Sequence, residues 1–123
     1  MAAVAIDQFV ESIREPGTSN LSPSRLAMRF GLEQQDLAAL ARVHRNTLRL
    51  HPESARVQAS LRDILRVLSA AAEVQPDVER AMFLIKNAPI ATFGHRPLLE
   101  VVREGRADDA VEYLRSVSAG FVG

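Results

Sequence analysis

Apolar residues along this chain of 123 residues recur at intervals of three and four, which is the spacing of one face of an α-helix. The clearest stretch runs from about residue 54 to residue 73, and its stripe is Val57, Leu61, Ile64, Leu65, Leu68 and Ala72. No alternating run of apolar and polar residues is long enough to predict a strand. The pattern therefore predicts an all-α fold with one long helix near its middle.

Turn-forming and capping residues mark two helices near the start of the chain. A first helix is expected over about residues 3–14, and the turn residues 15–20 end it. Ser22 and Pro23 open a second helix, because serine caps free N–H groups and proline has none to satisfy at the first helical position. This second helix is expected to end near Gly31.

Two short helices are expected next, at about residues 33–41 and 44–50, with only Arg42 and Val43 between them. Such a tight pair, spanning about residues 33–51, resembles the helix-turn-helix of Xre-type proteins. Glycine is common in that turn where this chain has Arg42, so a left-handed backbone is expected to be less comfortable there.

The last third of the chain is also predicted to be helical. Pro76 begins a helix, and the dense apolar run of residues 82–85 predicts burial on most of its sides. A loop over about residues 87–96 follows, and then comes a pair of helices that Pro97 opens and Gly105 divides.

The order of features in residues 79–123 resembles the toxin-binding domain of the Xre/MbcA/ParS antitoxins. The residues that carry the resemblance are Phe83, Asn87, the loop at Gly94, the helix start Pro97-Leu98-Leu99, Gly105, the stripe of Val111 and Leu114, and the tail Ala119-Gly120-Phe121-Val122-Gly123. The resemblance divides the chain into residues 1–75, which contain the helix-turn-helix, and residues 76–123, a small C-terminal toxin-binding domain. The long central helix joins the two.

The resemblance implies that this protein neutralises a RES-domain toxin, an enzyme that consumes NAD or transfers ADP-ribose. Members of the family cover the entrance of the toxin active site, and their C-terminal tail reaches toward the NAD pocket. The expected toxin-binding residues here are Ala119, Gly120, Phe121, Val122 and Gly123, with Arg96 and Arg103 as helpers. The alternative for the tail is that Phe121 packs back on the preceding helix pair.

The net charge of zero conceals a basic middle of the chain. Residues 42–66 hold six arginines and two carboxylates, which gives a local charge of +4. An ordinary solvated arginine face would have the same composition. The basic middle is nevertheless where a nucleic-acid surface is expected.

The second helix of the helix-turn-helix carries the candidate DNA-reading residues. At about 100° per residue, Arg45, Asn46 and Arg49 fall within one arc of this helix. Arginine can bond guanine and asparagine can bond adenine in the major groove, whereas Arg42 and Arg56 are expected to bond phosphates. A purely structural or dimerising role for the helix pair is the alternative.

Other kinds of chemistry find little support in the sequence. The chain has no cysteine, and His44 and His51 would lie about 10 Å apart along a helix, too far to share one metal ion. Both histidines are expected to be partly buried on its inner side. Asp108 and Asp109 are expected to cap a helix N-terminus. The sequence predicts neither an enzyme nor a cofactor, and it predicts a soluble, cytoplasmic protein without membrane contact.

These features together predict the antitoxin of a type II toxin–antitoxin system that binds a RES-domain toxin and represses its own operon. The partners would be the cognate toxin and operator DNA, with a homodimer inside a larger toxin–antitoxin complex. The alternative is a free-standing helix-turn-helix transcription regulator whose C-terminal domain only dimerises. A third interpretation is a protein-interaction module whose helix-turn-helix does not bind DNA.

Overall fold

The computed structural model describes residues 2–119, and within that range the chain forms eight α-helices and no strand. The helices are α1 Ala2–Ser12, α2 Pro23–Phe30, α3 Gln34–Ala41, α4 Arg45–Leu50, α5 Ala55–Val74, α6 Val78–Asn87, α7 Leu98–Arg103 and α8 Ala107–Ser118. One turn of 3-10 helix, Ala91–Phe93, lies in the loop between α6 and α7. The predicted all-α fold is confirmed.

The long helix α5 lies at the centre of the molecule. It packs against α1, α6 and α8, and more lightly against α3 and α7. Val57, Leu61, Ile64 and Leu68 of the predicted stripe are fully buried, whereas Leu65 is only partly buried. Val67 and Ala71 are also buried, because helices cover α5 on more than one side. Each fully buried leucine or isoleucine contributes roughly 1.5–3 kcal/mol of transfer free energy to the core.

The buried apolar side chains form one contiguous core that includes both predicted halves of the chain. Phe9 and Leu26 from residues 1–75 belong to the same cluster as Met82, Leu98 and Leu114 from residues 76–119. The helices that carry the two candidate surfaces are therefore held by one shared core.

Serine or aspartate side chains, which are favoured at the N-cap position, cap three of the helices. The Ser22 hydroxyl accepts a hydrogen bond from the Arg25 N–H at 3.1 Å, and the Ser54 hydroxyl accepts one from the Val57 N–H at 3.3 Å. The Asp77 carboxylate caps α6 in the same way. Each such cap is worth about 1 kcal/mol.

The predicted capping role of Asp108 and Asp109 is wrong. Arg106 precedes α8 and provides no side-chain cap. Both aspartates lie in the first turn of α8, where their charge complements the helix dipole. Their carboxylates accept hydrogen bonds from arginines instead, Asp108 from Arg66 at 2.6 Å and Asp109 from Arg106 at 2.8 Å.

The predicted burial of residues 82–85 on most sides is also wrong. Met82 and Ile85 are buried, but Phe83 is 68% exposed and Leu84 is partly exposed. Because α6 lies at the surface of the bundle, only one of its sides faces the core. Val4 of α1 is likewise 58% exposed.

Gln58 joins the two ends of the segment that contains α2, α3 and α4. Its side-chain oxygen accepts the Leu21 N–H at 2.8 Å, while its side-chain nitrogen donates to the Leu21 carbonyl at 2.9 Å and to the Pro52 carbonyl at 2.8 Å. Leu21 lies just before α2 and Pro52 just after α4. Gln58 itself is 4% exposed and extends from the first turns of α5. One buried carboxamide thus ties the three short helices to the central helix.

Replacing Gln58 by leucine should lower the free energy of unfolding by about 3 kcal/mol. The apolar side chain would leave two backbone groups of Leu21 and one of Pro52 without their partner, and each lost partner for a buried group costs about 1–3 kcal/mol. Urea unfolding followed by circular dichroism measures the change. The matched control is Gln34→Leu at an exposed position, which should change stability by less than about 0.5 kcal/mol. Equal stability of the two variants would show that the Gln58 hydrogen bonds do not hold the segment.

Candidate nucleic-acid interface and C-terminal surface

A left-handed residue joins α3 to α4. Arg42 has φ 55°, and its N–H donates to the Ala39 carbonyl at 3.2 Å while the Val43 N–H donates to the Ala38 carbonyl at 3.1 Å. The turn between α2 and α3 has the same pattern, but there the left-handed residue is Gly31, with φ 69°. Arg42 adopts this conformation at a cost of roughly 1–2 kcal/mol, because its Cβ crowds the neighbouring carbonyl oxygen.

The guanidinium of Arg42 extends to the turn between α7 and α8. A Cβ placed on Gly105, which has φ +80°, would lie 3.3 Å from Nη1 of Arg42. Glycine therefore serves two purposes at residue 105, since it permits the left-handed backbone and leaves room for the guanidinium. The predicted phosphate-binding Arg42 is exposed, but its side chain lies against the C-terminal half of the chain.

The outward face of α4 presents the three predicted base-reading residues together. Arg45, Asn46 and Arg49 are all exposed, whereas Leu48 is buried and anchors the helix to the core. Among residues 2–119, no salt bridge or side-chain hydrogen bond engages either arginine of this face. The α4 face therefore carries uncompensated positive charge beside a free carboxamide.

An open groove of about 760 Å³ runs along this face. Arg45, Asn46 and Arg49 form one wall, and the loop before α2 with the start of that helix forms the other, including Asn20 and Ser24. Two carboxylates also line the groove, Glu15 and Glu53. The acidic residues limit how much of the groove is attractive to an anion, so the basic surface is the exposed side of α4 itself.

The expected partial burial of His44 and His51 is wrong. Both are exposed, because they precede and follow α4 and the geometry of a continuous helix does not extend to them. His44 has extended backbone, and its Nδ1 accepts the Asn46 N–H at 3.0 Å, which makes it the cap of α4. Histidine is not among the favoured capping residues, so propensity gave no signal for this role.

The remaining arginines of the basic middle differ in their surroundings. Arg66 lies between Asp63 and Asp108, at 3.0 and 2.6 Å, and hydrogen bonds to these carboxylates raise its pKa. Arg56, the other predicted phosphate contact, and Arg62 are exposed and have no side-chain partner among residues 2–119. Positive charge is thus neutralised near α8 and left free near α4 and along the first half of α5.

The two arginines predicted to help bind a toxin are already paired with carboxylates. Arg96 makes a two-point salt bridge with Glu104, with Nη2 at 3.0 Å from Oε1, and its Nε donates to the Phe93 carbonyl. The hydrogen bond from Arg96 lowers the pKa of Glu104, and attraction from Arg96 and Arg106 adds to the effect. Arg103 lies 3.7 Å from Glu100. Both cations are compensated within the C-terminal half.

The predicted tail is mostly beyond what the structure describes. Ala119 is the exposed C-cap that follows α8, and its N–H donates to the Arg115 carbonyl at 2.8 Å. Gly120, Phe121, Val122 and Gly123 lie outside the described residues.

An exposed aromatic side chain stands out on the C-terminal half. Phe83 projects from α6 and lines a shallow open surface with Arg80, Leu84 and Ala88. Asp77 and Glu79 border the same surface. Sequence reasoning assigned this aromatic residue to the interior, and only the position of α6 at the edge of the bundle reveals it.

Within residues 2–119, no helix has both the length and the apolar composition needed to cross a bilayer. Over the same residues, no three histidine or acidic side chains are grouped closely enough to hold a metal ion.

Comparisons of the chain with models of protein families, with curated proteins and with solved structures find no match in any of the three.

Replacing Arg42 by glycine should give a more stable protein than replacing it by alanine, by about 1 kcal/mol. Both variants lose the contact with Gly105, but only alanine keeps the Cβ that is strained at positive φ. Thermal or urea unfolding of the pair measures the difference. At Ala39, inside α3, the order should reverse, with glycine the less stable by about 0.5–1 kcal/mol. An alanine variant at residue 42 as stable as the glycine variant would contradict the left-handed conformation.

Proposed function

We propose that this protein is the antitoxin of a type II toxin–antitoxin pair, which binds operator DNA through α4 and a RES-domain toxin through residues 76–123. Binding the operator would repress its own operon. Binding the toxin would block the active-site entrance of an enzyme that consumes NAD or transfers ADP-ribose. A homodimer within a toxin–antitoxin complex would present two copies of α4 to two half-sites about one DNA turn apart.

The DNA-binding part of the proposal is carried by the state of the α4 face. Arg45 and Arg49 are exposed and lack carboxylate partners among the described residues, and Asn46 lies beside Arg49 on the same side. A short helix of this kind, anchored by the buried Leu48 and preceded by a tight turn, can enter the major groove. Unpaired Arg56 and Arg62 on α5 add positive charge for phosphates.

The toxin-binding part is supported by the resemblance of residues 79–123 and by the exposed apolar surface at Phe83. Aromatic side chains that fill a pocket of the partner often dominate the binding energy of protein interfaces. The tail would add Phe121 and Val122, which come two and three residues after the exposed Ala119 in the sequence.

One observation favours the alternative of a free-standing transcription regulator. Because Glu104 and Glu100 already compensate Arg96 and Arg103, these cations have less to gain from an acidic toxin surface. In the alternative, residues 76–123 only dimerise, and the Phe83 surface belongs to the dimer. The experiments below distinguish the two functions.

Changing Arg45 and Arg49 together to alanine should lower affinity for the DNA upstream of the protein's own gene by at least about thirtyfold. Each well-placed contact to a base is worth about 1–3 kcal/mol, and a factor of ten corresponds to 1.4 kcal/mol. Titration of labelled DNA at physiological salt measures the loss. The fold should survive, since both side chains are exposed.

The control for this experiment is a double variant that removes equal charge elsewhere. Arg80→Ala with Arg115→Ala changes exposed positions on α6 and α8 and should leave DNA affinity nearly unchanged. Unaltered affinity after the change at α4 would exclude the α4 face as the reading surface. A wild-type protein that shows no salt-dependent DNA binding would support the third interpretation, in which the chain is a protein-interaction module.

Removing residues 119–123 should leave the fold intact and abolish suppression of the toxin. The shortened chain would end at Ser118, the last residue of α8, so every buried core residue that the structure describes is kept. The measurement is NAD consumption by a RES-domain toxin, which the proposal expects to be encoded beside this gene, with full-length or shortened antitoxin added. We expect the rate with the shortened chain to equal that of the toxin alone.

A second variant, Arg96→Ala with Arg103→Ala, keeps the tail and tests the contribution of these two arginines to toxin binding. If a folded chain that lacks residues 119–123 still suppresses the toxin fully, the tail is not the segment that blocks the toxin. A protein that binds its promoter but neither binds nor inhibits such a toxin would establish the free-standing regulator.

A further inference from the structure

Leu50 is an apolar side chain on the outer face of α4 that the core does not use. It is the last residue of the helix and is 58% exposed, while Leu48 two residues earlier is 2% exposed. Single exposed apolar residues are common on protein surfaces and need no special explanation. Leu50, however, lies beside the candidate base-reading residues, so its exposed side chain could take part in the same contact.

The four outward residues of α4 lie in a definite order across its face. At about 100° per residue, the order around the helix is Arg45, Arg49, Asn46 and Leu50, over an arc of about 140°. The two arginines form one edge of the face. Asn46 and Leu50 form the other edge, with Leu50 one turn, about 6 Å, along the axis from Asn46.

The chemistry of the second edge matches an A·T base pair. The carboxamide of asparagine can donate to N7 and accept from N6 of adenine in the major groove. The C5-methyl group of thymine is the apolar feature that bases present in the same groove, and apolar side chains contact it. Successive base pairs are about 3.4 Å apart, so Asn46 and Leu50 reach base pairs within about two steps of each other.

We infer that Leu50 is a specificity-determining residue that packs against the C5-methyl group of a thymine, within two base pairs of an adenine bound by Asn46. The inference rests on the proposed DNA-binding function of α4. It assigns the two edges of the helix to different bases, guanine for Arg45 and Arg49 and an A·T step for Asn46 and Leu50. The contact involves no proton transfer and no covalent bond, because it consists of apolar burial alone.

The test uses duplex DNA selected by the protein itself. A pool of short duplexes with a randomised centre is enriched by rounds of binding to the full-length chain, and the enriched duplex is then synthesised. Each thymine is replaced in turn by deoxyuridine, which pairs identically but lacks the methyl group. For the wild-type protein, one replacement should lower affinity about fourfold, the value expected for one buried methyl group.

The Leu50→Ala variant supplies the second arm. It should bind the enriched duplex about fourfold or more weakly, and replacing the same thymine by deoxyuridine should have no further effect. Met28→Ala is the matched control, because Met28 is 80% exposed on α2, outside α4. This variant should keep both the wild-type affinity and the sensitivity to the methyl group.

Each other outcome overturns the inference in a recognisable way. If the wild-type protein enriches a sequence but binds the deoxyuridine duplexes equally well, Leu50 reads no thymine while the DNA-binding function stands. The same holds if Leu50→Ala remains sensitive to the missing methyl group. If the wild-type protein enriches no sequence, the DNA-binding function itself fails and the inference fails with it.

Discussion

The position of α4 depends on the hydrogen bonds made by the carboxamide of Gln58. Helices α2, α3 and α4 have eight, eight and six residues, and helices so short have little stability of their own in water. Their place is set by packing on α5 and by Gln58, which bonds the chain just before α2 and just after α4. Because a buried polar group tolerates little misalignment, this clamp fixes the segment in one orientation and presents Arg45 and Arg49 outward.

The helices were predictable because their signals are local. The stripe of α5, the Ser22 cap and the tight turn at Arg42 all depend on residues within a few positions of each other. The Gln58 clamp was not predictable, since Leu21 and Gln58 are separated by 37 residues and an isolated glutamine gives no pattern. The same holds for Asp108, whose neighbour in sequence suggests a cap but whose partner is Arg66 on another helix. Local chemistry predicts where a helix begins, whereas the partner of a charged side chain depends on how the helices pack.

The candidate surfaces show the same division. The exposure of Arg45, Asn46 and Arg49 followed from helix periodicity, because Leu48 had to face the core. The pairing of Arg96 with Glu104 was hidden, since the loop and α7 must bend back to bring them together. Phe83 was misplaced because a dense apolar run gives no information about how many sides of a helix are covered. Burial therefore has to be taken from the packing of α6 and not from its composition.

Charge compensation distinguishes α4 and the start of α5 from other arginine-bearing parts of the molecule. In the C-terminal half, arginines 96, 103 and 106 all lie beside carboxylates, and Arg66 joins them through Asp108. On α4 and in the first half of α5, the arginines make no salt bridge with any carboxylate of the described residues. In residues 76–119, Arg115 is the one arginine without a salt bridge, so the contrast with α4 is one of degree. The contact of Arg42 with Gly105 links these two halves, so a ligand on either side meets one rigid, shared core. The proposed function would accordingly place an anionic partner on the α4 face and an apolar one on the surface at Phe83.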